Sequence, residues 1–552
     1  MGSLRHETPN QCYDGRPRAQ WVSVTQTMGQ SLVGQSLSAS LLALILAVGH
    51  AFSAASSFAA GGVLVVTTED ETTREPIATR MELFRSNGTS QIVRTAASAG
   101  RGVVISESVE LLLPDGDYQF RLIRGPEYRI VNGNFTLERN SQDARTVKLP
   151  RMVEMKKEGW MSCDMAVPPK TNDIQLRMMG EDLHFAAIVG VEMPPSMPQA
   201  IPKNLDPYKP TWLTSGLRTS NDGAIVFYPD ANSIDGSPAV QGETSAQMIQ
   251  RLSANESTRI AVLNPFAWEL PIWLATEQID GLFVLGDWLR EDKRVEKIVD
   301  GRPPKVMGYA GPRGPGRYAE FIYWNMLEAG LRPAPLAGTG AQTTQSGTSS
   351  IGYNRIYVTG NQADEDESSR EHVSSAEDFL AAAWAGQSVV TNGPMLRPTL
   401  GGYPPGHSFQ AASAETLELT MELKLSVRDQ VDYLEIVHNG RVFHSARLDE
   451  FAAAGGRLPI MKIEESGWAV VRVVTQHEDH FRMATSAPWY FDFDADSKPR
   501  ISRSAVKFFA DWLVDCESRL KQLPSNELSK HVPSVTASRV FWRDRMNRAT
   551  VD

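Results

Sequence analysis

Residues 159–188 constrain this chain more than any other stretch. An apolar run from Trp160 leads into Ser162-Cys163-Asp164, and a polar connector follows. Then come an amphipathic run carrying Ile174, Leu176, Met178 and Met179, and an apolar segment from Leu183 to Val191. Apolar run, helical spacing and apolar run make a strand–helix–strand pattern. Joining two parallel strands requires such a crossover, so the stretch predicts a parallel α/β unit.

Upstream the chain reads as β. Gly62–Thr67 and Met81–Phe84 have strand composition, and Asn87-Gly88 is a hairpin signal. Val109–Leu113, Tyr118–Ile123, Phe135–Leu137 and Val147–Leu149 follow at short spacing, with Gly and Pro between them. Strands punctuated in this way predict a β-sandwich over residues 61–150. Ahead of it, Arg16 and Arg18, the apolar run Leu41–Val48 and the small residues Ala51, Ser53, Ala54 and Ala55 come in the order of a secretory signal peptide. The apolar run is too short to span a bilayer. Residues 1–60 are therefore expected to be an export leader. The remainder is expected in the periplasm or outside the cell, with no membrane span after the leader is removed. A net charge of −10 without a long basic run excludes nucleic acid as a partner.

Downstream, 552 residues leave room for three or four domains. Residues 151–400 continue as α/β, with strands at Ala224–Phe227 and Ile279–Leu285 and helices at Arg317–Leu327 and Ala376–Gly386. Residues 401–495 return to β through Leu417–Val427, Val431–Val437 and Trp468–Thr475. Residues 496–552 form a helical tail. In it Phe508, Phe509, Trp512 and Leu513 make a core stripe, and Ala537–Arg548 reads as a solvated basic face. Cys163 and Cys516 lie far apart and provide no disulfide framework.

The opening of the α/β part resembles the polymerase and histidinol phosphatase (PHP) family of metal-dependent hydrolases, in its secreted, carbaryl-hydrolase-like branch. That domain begins Gly-Trp-x-Ser-Gly-Asp-Leu-His-x-His, and Gly159, Trp160, Ser162 and Asp164 match it. Further similarities are the run Asn264-Pro-Phe-Ala-Trp-Glu-Leu-Pro-Ile-Trp273, the strand Gly352-Tyr-Asn-Arg-Ile-Tyr-Val358 and Thr391-Asn-Gly-Pro394. Pro114-Asp-Gly-Asp-Tyr118 with Arg124-Gly-Pro-Glu-Tyr128 is similar to the transthyretin-like accessory domain of the same family. The resemblance runs from about residue 62 onward. It implies a distorted (β/α) barrel of the PHP type, flanked by an N-terminal transthyretin-like β-sandwich and a C-terminal β-sandwich.

The metal-binding pair of that family is missing. Its two histidines fall on Ala166 and Pro168. Imidazoles spaced i, i+2 on a strand point the same way and can share one ion. A bound cation would lower the pKa of water from about 16 to about 7. Alanine and proline have no donor atom to hold one. Val189-Gly-Val-Glu192 stands where active relatives carry Thr-Asp-His-Asn. What remains is Asp164, Glu181, Asp182 and His184 near the first two strands, with Asn264, Glu269 and Asp287 expected on the opposite side.

Two readings follow from these residues. In one, Asp164 and His184 hold a single cation or polarise a substrate. In the other, Asp164 caps backbone donors at a strand end and His184 is a hydrogen-bonded core residue; the second is preferred. His477-Glu-Asp-His480 reads as an exposed turn, and Trp160, Trp268, Trp273 and Trp288 as core rather than a sugar platform. The sequence thus predicts an exported PHP-like protein with an eroded metal site and no cofactor, a non-catalytic binding or scaffold protein for a small molecule or glycan. The alternative is a divergent hydrolase of phosphoester or amide/ester bonds. It would use Zn, Mn or Fe, with Asp164, His184, Glu181, Asn264 and Glu269 as its site.

Overall fold

The computed structural model describes residues 61–94, 96–167, 173–190, 211–218, 224–228, 242–289, 301–340, 351–360, 376–493 and 499–552. The expected leader and Pro168 lie outside these residues.

The first elements are β1 (Gly62–Asp70), β2 (Thr79–Arg85), β3 (Ala97–Ala99), β4 (Gly102–Ile105), β5 (Ser108–Leu113), β6 (Gly116–Ile123), β7 (Val131–Leu137) and β8 (Gln142–Leu149). β1 alternates buried and half-buried residues along its length, the pattern of a strand with one face on a core. β5, β1 and β8 form one sheet, and β3, β4, β2, β6 and β7 form a second. Leu64 and Leu111 from the first meet Leu83 and Leu122 from the second in one core, so this part is a β-sandwich.

The expected strand–helix–strand follows as β9 (Trp160–Val167), α1 (Ile174–Gly180) and β10 (Phe185–Gly190). β10 runs parallel to β9 with Phe185 opposite Cys163 and Ala186 opposite Asp164. α1 faces the sandwich. A β-carbon on Gly180 would come within 2.8 Å of Val104, so only glycine permits that approach.

Next come β11 (Thr211–Arg218), β12 (Ile225–Tyr228), α2 (Ser245–Leu252), β13 (Arg259–Val262), α3 (Leu270–Leu274), β14 (Gly281–Leu285), α4 (Gly314–Glu328), β15 (Ala334–Ala337), β16 (Arg355–Thr359), α5 (Ala376–Trp384) and β17 (Ser388–Thr391). The later elements are β18 (Met395–Leu400), β19 (Ser408–Ala411), β20 (Leu417–Leu419), β21 (Met421–Ser426), β22 (Val431–His438), β23 (Arg441–Ala446), α6 (Leu448–Ala453), β24 (Met461–Ile463), β25 (Gly467–Thr475), β26 (Arg482–Ser486), β27 (Trp489–Phe493), α7 (Arg503–Leu520) and α8 (Ser525–Asn547).

One sheet runs through most of these strands in the order β15-β14-β13-β12-β11-β10-β9-β16-β17-β26-β25-β22-β23, with β27 and β19 attached at β25. The same sheet therefore crosses the position, near residue 400, where the composition changes from α/β to β. β9 lies inside it and is buried along its whole length. Its residues Met161, Cys163 and Met165 join the core that also holds residues of α3, α4, α5, α7 and α8. Trp160 joins a second core with Tyr357, Met395 and Trp489. The fold is a strand-rich mixture of α and β. No helix among the described residues is long and apolar enough to cross a membrane.

The C-terminal helices differ in part from expectation. α7 buries Phe509, Trp512 and Leu513 as its stripe predicts. α8 exposes Arg543 and Arg548 but buries Trp542. The indole of Trp542 stacks on Phe509 at 5.1 Å, and its N–H donates to the Pro271 carbonyl at 3.0 Å. Charge along Ala537–Arg548 describes only the outer side of that helix. A single large aromatic ring decides the inner one.

Candidate functional site

Asp164 sits toward the C-terminal end of β9 and is fully buried. Its Oδ1 accepts from the backbone N–H of Ala166 at 3.1 Å and of Thr339 at 2.9 Å. Its Oδ2 accepts from the Gly352 N–H at 2.8 Å and from the Thr339 hydroxyl in a shorter contact. A carboxylate has about four lone-pair sites, and here four donors fill them. Burial raises Asp164 to about 6, against the opposing pull of these hydrogen bonds.

Three of the four donors come from the segments that follow β15 and precede β16, so Asp164 fastens those segments to β9. Gly340 N–H adds a bond to the Ala166 carbonyl at 3.0 Å. Gly338 packs so close that a β-carbon there would fall 2.8 Å from that of Ala166 and 3.0 Å from Asp164 Oδ1. Asp287 lies on the far side of the same loop, where a β-carbon on Gly340 would meet its own β-carbon at 2.4 Å. Asn354, buried behind the loop, donates its side-chain amide to the carbonyls of Gly286, Leu289 and Gly338.

His184 is at the other end of the unit, just before β10. Its Nδ1 accepts from the Ser162 N–H at 3.2 Å and lies 2.9 Å from the Ser162 hydroxyl. An Nδ1 that accepts leaves the ring proton on Nε2 in the neutral imidazole. Burial pulls His184 down to about 4, although the neighbouring Asp182 pulls the other way.

Glu181 and Asp182 face the sandwich. Glu181 Oε1 accepts from Arg80 Nε at 2.6 Å, and Arg80 Nη1 reaches Glu82 at 2.8 Å, all three side chains being buried. Asp182 pairs with Arg124 at 2.7 Å and Arg151 at 3.3 Å. Burial alone would raise it, but these two guanidinium groups bring it to about 2. Beside them Glu127, buried and close to Asp182, is pushed up to about 7. The acidic pair after α1 is thus a fastening between the sandwich and the α/β part.

The remaining expected site residues disperse. Asn264 Oδ1 accepts from the N–H of Phe266 at 3.0 Å and shapes its own turn. Glu269 pairs with His531 of α8 at 3.0 Å. Trp160, Trp273 and Trp288 are buried, and Arg519 lies 4.4 Å over the Trp268 ring. Cys163 and Cys516 are buried free thiols. His480 departs from the exposed turn expected of it. Glu478 and Asp479 are exposed, but His480 is buried with its Nε2 2.6 Å from the Tyr353 hydroxyl.

Among the described residues, those around Asp164 do not suit a divalent metal. Asp164 has its oxygens taken by four donors, Ala166 presents a methyl group, and His184 carries its proton on the nitrogen that would have to ligate. Among the described residues no three His, Cys, Asp or Glu side chains converge on a point. Thr339, which fills half of the Asp164 carboxylate, had no signal in the sequence beyond the Gly-Thr-Gly around it.

No family model matches the chain, and no curated protein matches it. Among solved structures it is similar to the Bacillus anthracis TIE protein at 16% identity, over 20% of this chain and 19% of that one, with a TM-score of 0.14. It is similar to GBS52, the minor pilin of Streptococcus agalactiae, at 18% identity over 17% of this chain and 45% of that one, with a TM-score of 0.14. It is also similar to Parabacteroides merdae β-glucuronidase at 8% identity over 77% and 61% of the two chains, with a TM-score of 0.16. The matches span less than half of the first two proteins, and TM-scores this low say nothing of a shared fold.

Proposed function

We propose that this chain is an exported, PHP-like protein in which a structural fastening stands where relatives hold metal, leaving a non-catalytic binding or scaffold protein. In this reading β9 to β15 are a distorted (β/α) barrel, and the sandwich before them is the transthyretin-like domain. The return of the loop after β15 to Asp164 and Ala166 of β9 supports the barrel reading. The observation that carries the functional reading is the saturation of Asp164. A carboxylate that accepts three backbone N–H groups and a hydroxyl has no lone pair left for an ion.

The test is elemental analysis of the purified, dialysed protein beside its Asp164→Ala variant, with phosphodiester and ester substrates assayed on both. The expected result is no Asp164-dependent Zn, Mn or Fe and no turnover that the variant loses. Stoichiometric metal that disappears in Asp164→Ala would overturn the reading in favour of a divergent hydrolase of phosphoester or amide/ester bonds.

A further inference from the structure

A cavity of about 490 Å³ opens at the N-terminal end of β9, where Trp160, Thr359 of β16, Arg397 of β18, the β21 segment and the turn after α6 meet. That volume is in the range of small-molecule pockets. Four cations line it, Lys157, Arg397, Lys424 and Arg457, against two carboxylates, Glu158 and Glu422. In a chain of net charge −10 this is a local excess of positive charge.

The ion pairs around the cavity reduce that excess without cancelling it. A single oxygen, Glu158 Oε2, is shared between Arg397 Nε at 3.3 Å and Lys424 Nζ at 3.4 Å. Arg457 leans on Glu422 at 3.2 Å, and Lys157 on Glu154, which is outside the lining, at 2.7 Å.

Arg397 is the built part of the site. Its side chain is only 9% exposed. Its Nη1 donates to the Met395 carbonyl at 3.2 Å and the Ser426 hydroxyl at 3.1 Å, which fixes the plane of the guanidinium. Nη2 makes no hydrogen bond within the described residues, and neither does the indole N–H of Trp160. Lys424 and Arg457 are 73% and 71% exposed, free to swing onto a guest. The turn that carries Arg457 is held by Gly456. Its carbonyl accepts from the Leu423 N–H at 2.9 Å, and its φ of +85° favours glycine.

We infer that this cavity binds a small organic dianion, either a dicarboxylate or a phosphate ester. One oxyanion group takes the fixed guanidinium and the indole N–H. The second is met by Lys424 and Arg457. The fork of a guanidinium matches either oxyanion, and with Glu154 counted the four cations face three carboxylates, which leaves the site net positive for an anionic guest. The site lies away from Asp164 and stands whether or not that end of β9 carries chemistry.

Titration calorimetry of the full exported chain at constant ionic strength and pH 7 tests this, with succinate, glucose 6-phosphate and neutral glucose as probes. Succinate or glucose 6-phosphate is expected to bind with Kd below about 1 mM and glucose not at all. Which of the two binds tells carboxylate from phosphate recognition. The double variant Lys424→Glu with Arg457→Glu changes only exposed side chains and is expected to keep the wild-type melting curve while weakening binding by about tenfold or more. Arg397→Met should abolish binding. Absence of heat with both anions, equal binding of glucose, or binding unchanged in the double variant would overturn the assignment.

Discussion

Replacing Asp164 separates a structural fastening from a metal ligand. In Asp164→Ala the N–H groups of Ala166, Thr339 and Gly352 lose their acceptor in a fully buried place. A buried donor left without a partner costs about 1–3 kcal/mol. Three of them, with partial relaxation, put the loss at about 3–6 kcal/mol. Asp164→Asn keeps one oxygen for Ala166 and Thr339 but turns an NH2 group toward the Gly352 N–H, donor against donor. Only that bond is lost outright, because the Thr339 hydroxyl can rotate to accept, so the cost is about 1–3 kcal/mol. Urea denaturation followed by tryptophan fluorescence reads both values, and the order should be wild type, then Asn, then Ala. EDTA added to wild type should leave its midpoint unmoved. A loss below about 1 kcal/mol in the alanine variant, or an EDTA effect on wild type as large as that variant's, would refute the reasoning.

Arg80→Met takes the buried guanidinium from Glu181 and leaves Glu82 with Arg121. It should cost about 3–5 kcal/mol and expose the connection between sandwich and α/β part to limited proteolysis near residue 150. His184 is held neutral in the fold to about pH 4, whereas the unfolded ring takes its proton near 6.5. At this ring the unfolded state therefore binds more protons in that window, so the His184 contribution to stability should fall as pH drops from 6.5 toward 4. It runs against the opposite contributions of Asp164 and Glu127, whose raised carboxyls take up protons earlier in the fold. The His184 contribution should be about 2 kcal/mol after discounting the ring's partial exposure, read as the difference between wild type and His184→Gln in a pH series of melts. Trp542→Ala removes a stacked, hydrogen-bonded ring from beneath α7 and should cost about 3–5 kcal/mol by chemical denaturation.

Much of the framework was legible because it is local. The helical spacing around Ile174, set between the apolar runs from Trp160 and from Leu183, predicts α1 between parallel strands, and that unit is where the pattern puts it. The stripe Phe509, Trp512 and Leu513 gives the inner face of α7 in the same way. That position 166 has no donor atom is a matter of residue identity alone.

Partnership could not be read in that manner. The hydroxyl that closes on Asp164 comes from Thr339, 175 residues away, and the cation on Glu181 from Arg80, 101 residues away. Both glutamate and aspartate look alike as residue letters whether they face a cation, a backbone amide or water. The same distance effect hid the cation-lined cavity, whose walls come from five separate segments of the chain. Periodicity is set by neighbours along the backbone, so the sequence determined the elements. Hydrogen bonds and ion pairs depend on which elements the core brings together, and only the tertiary structure decided that Asp164 ties loops to a strand.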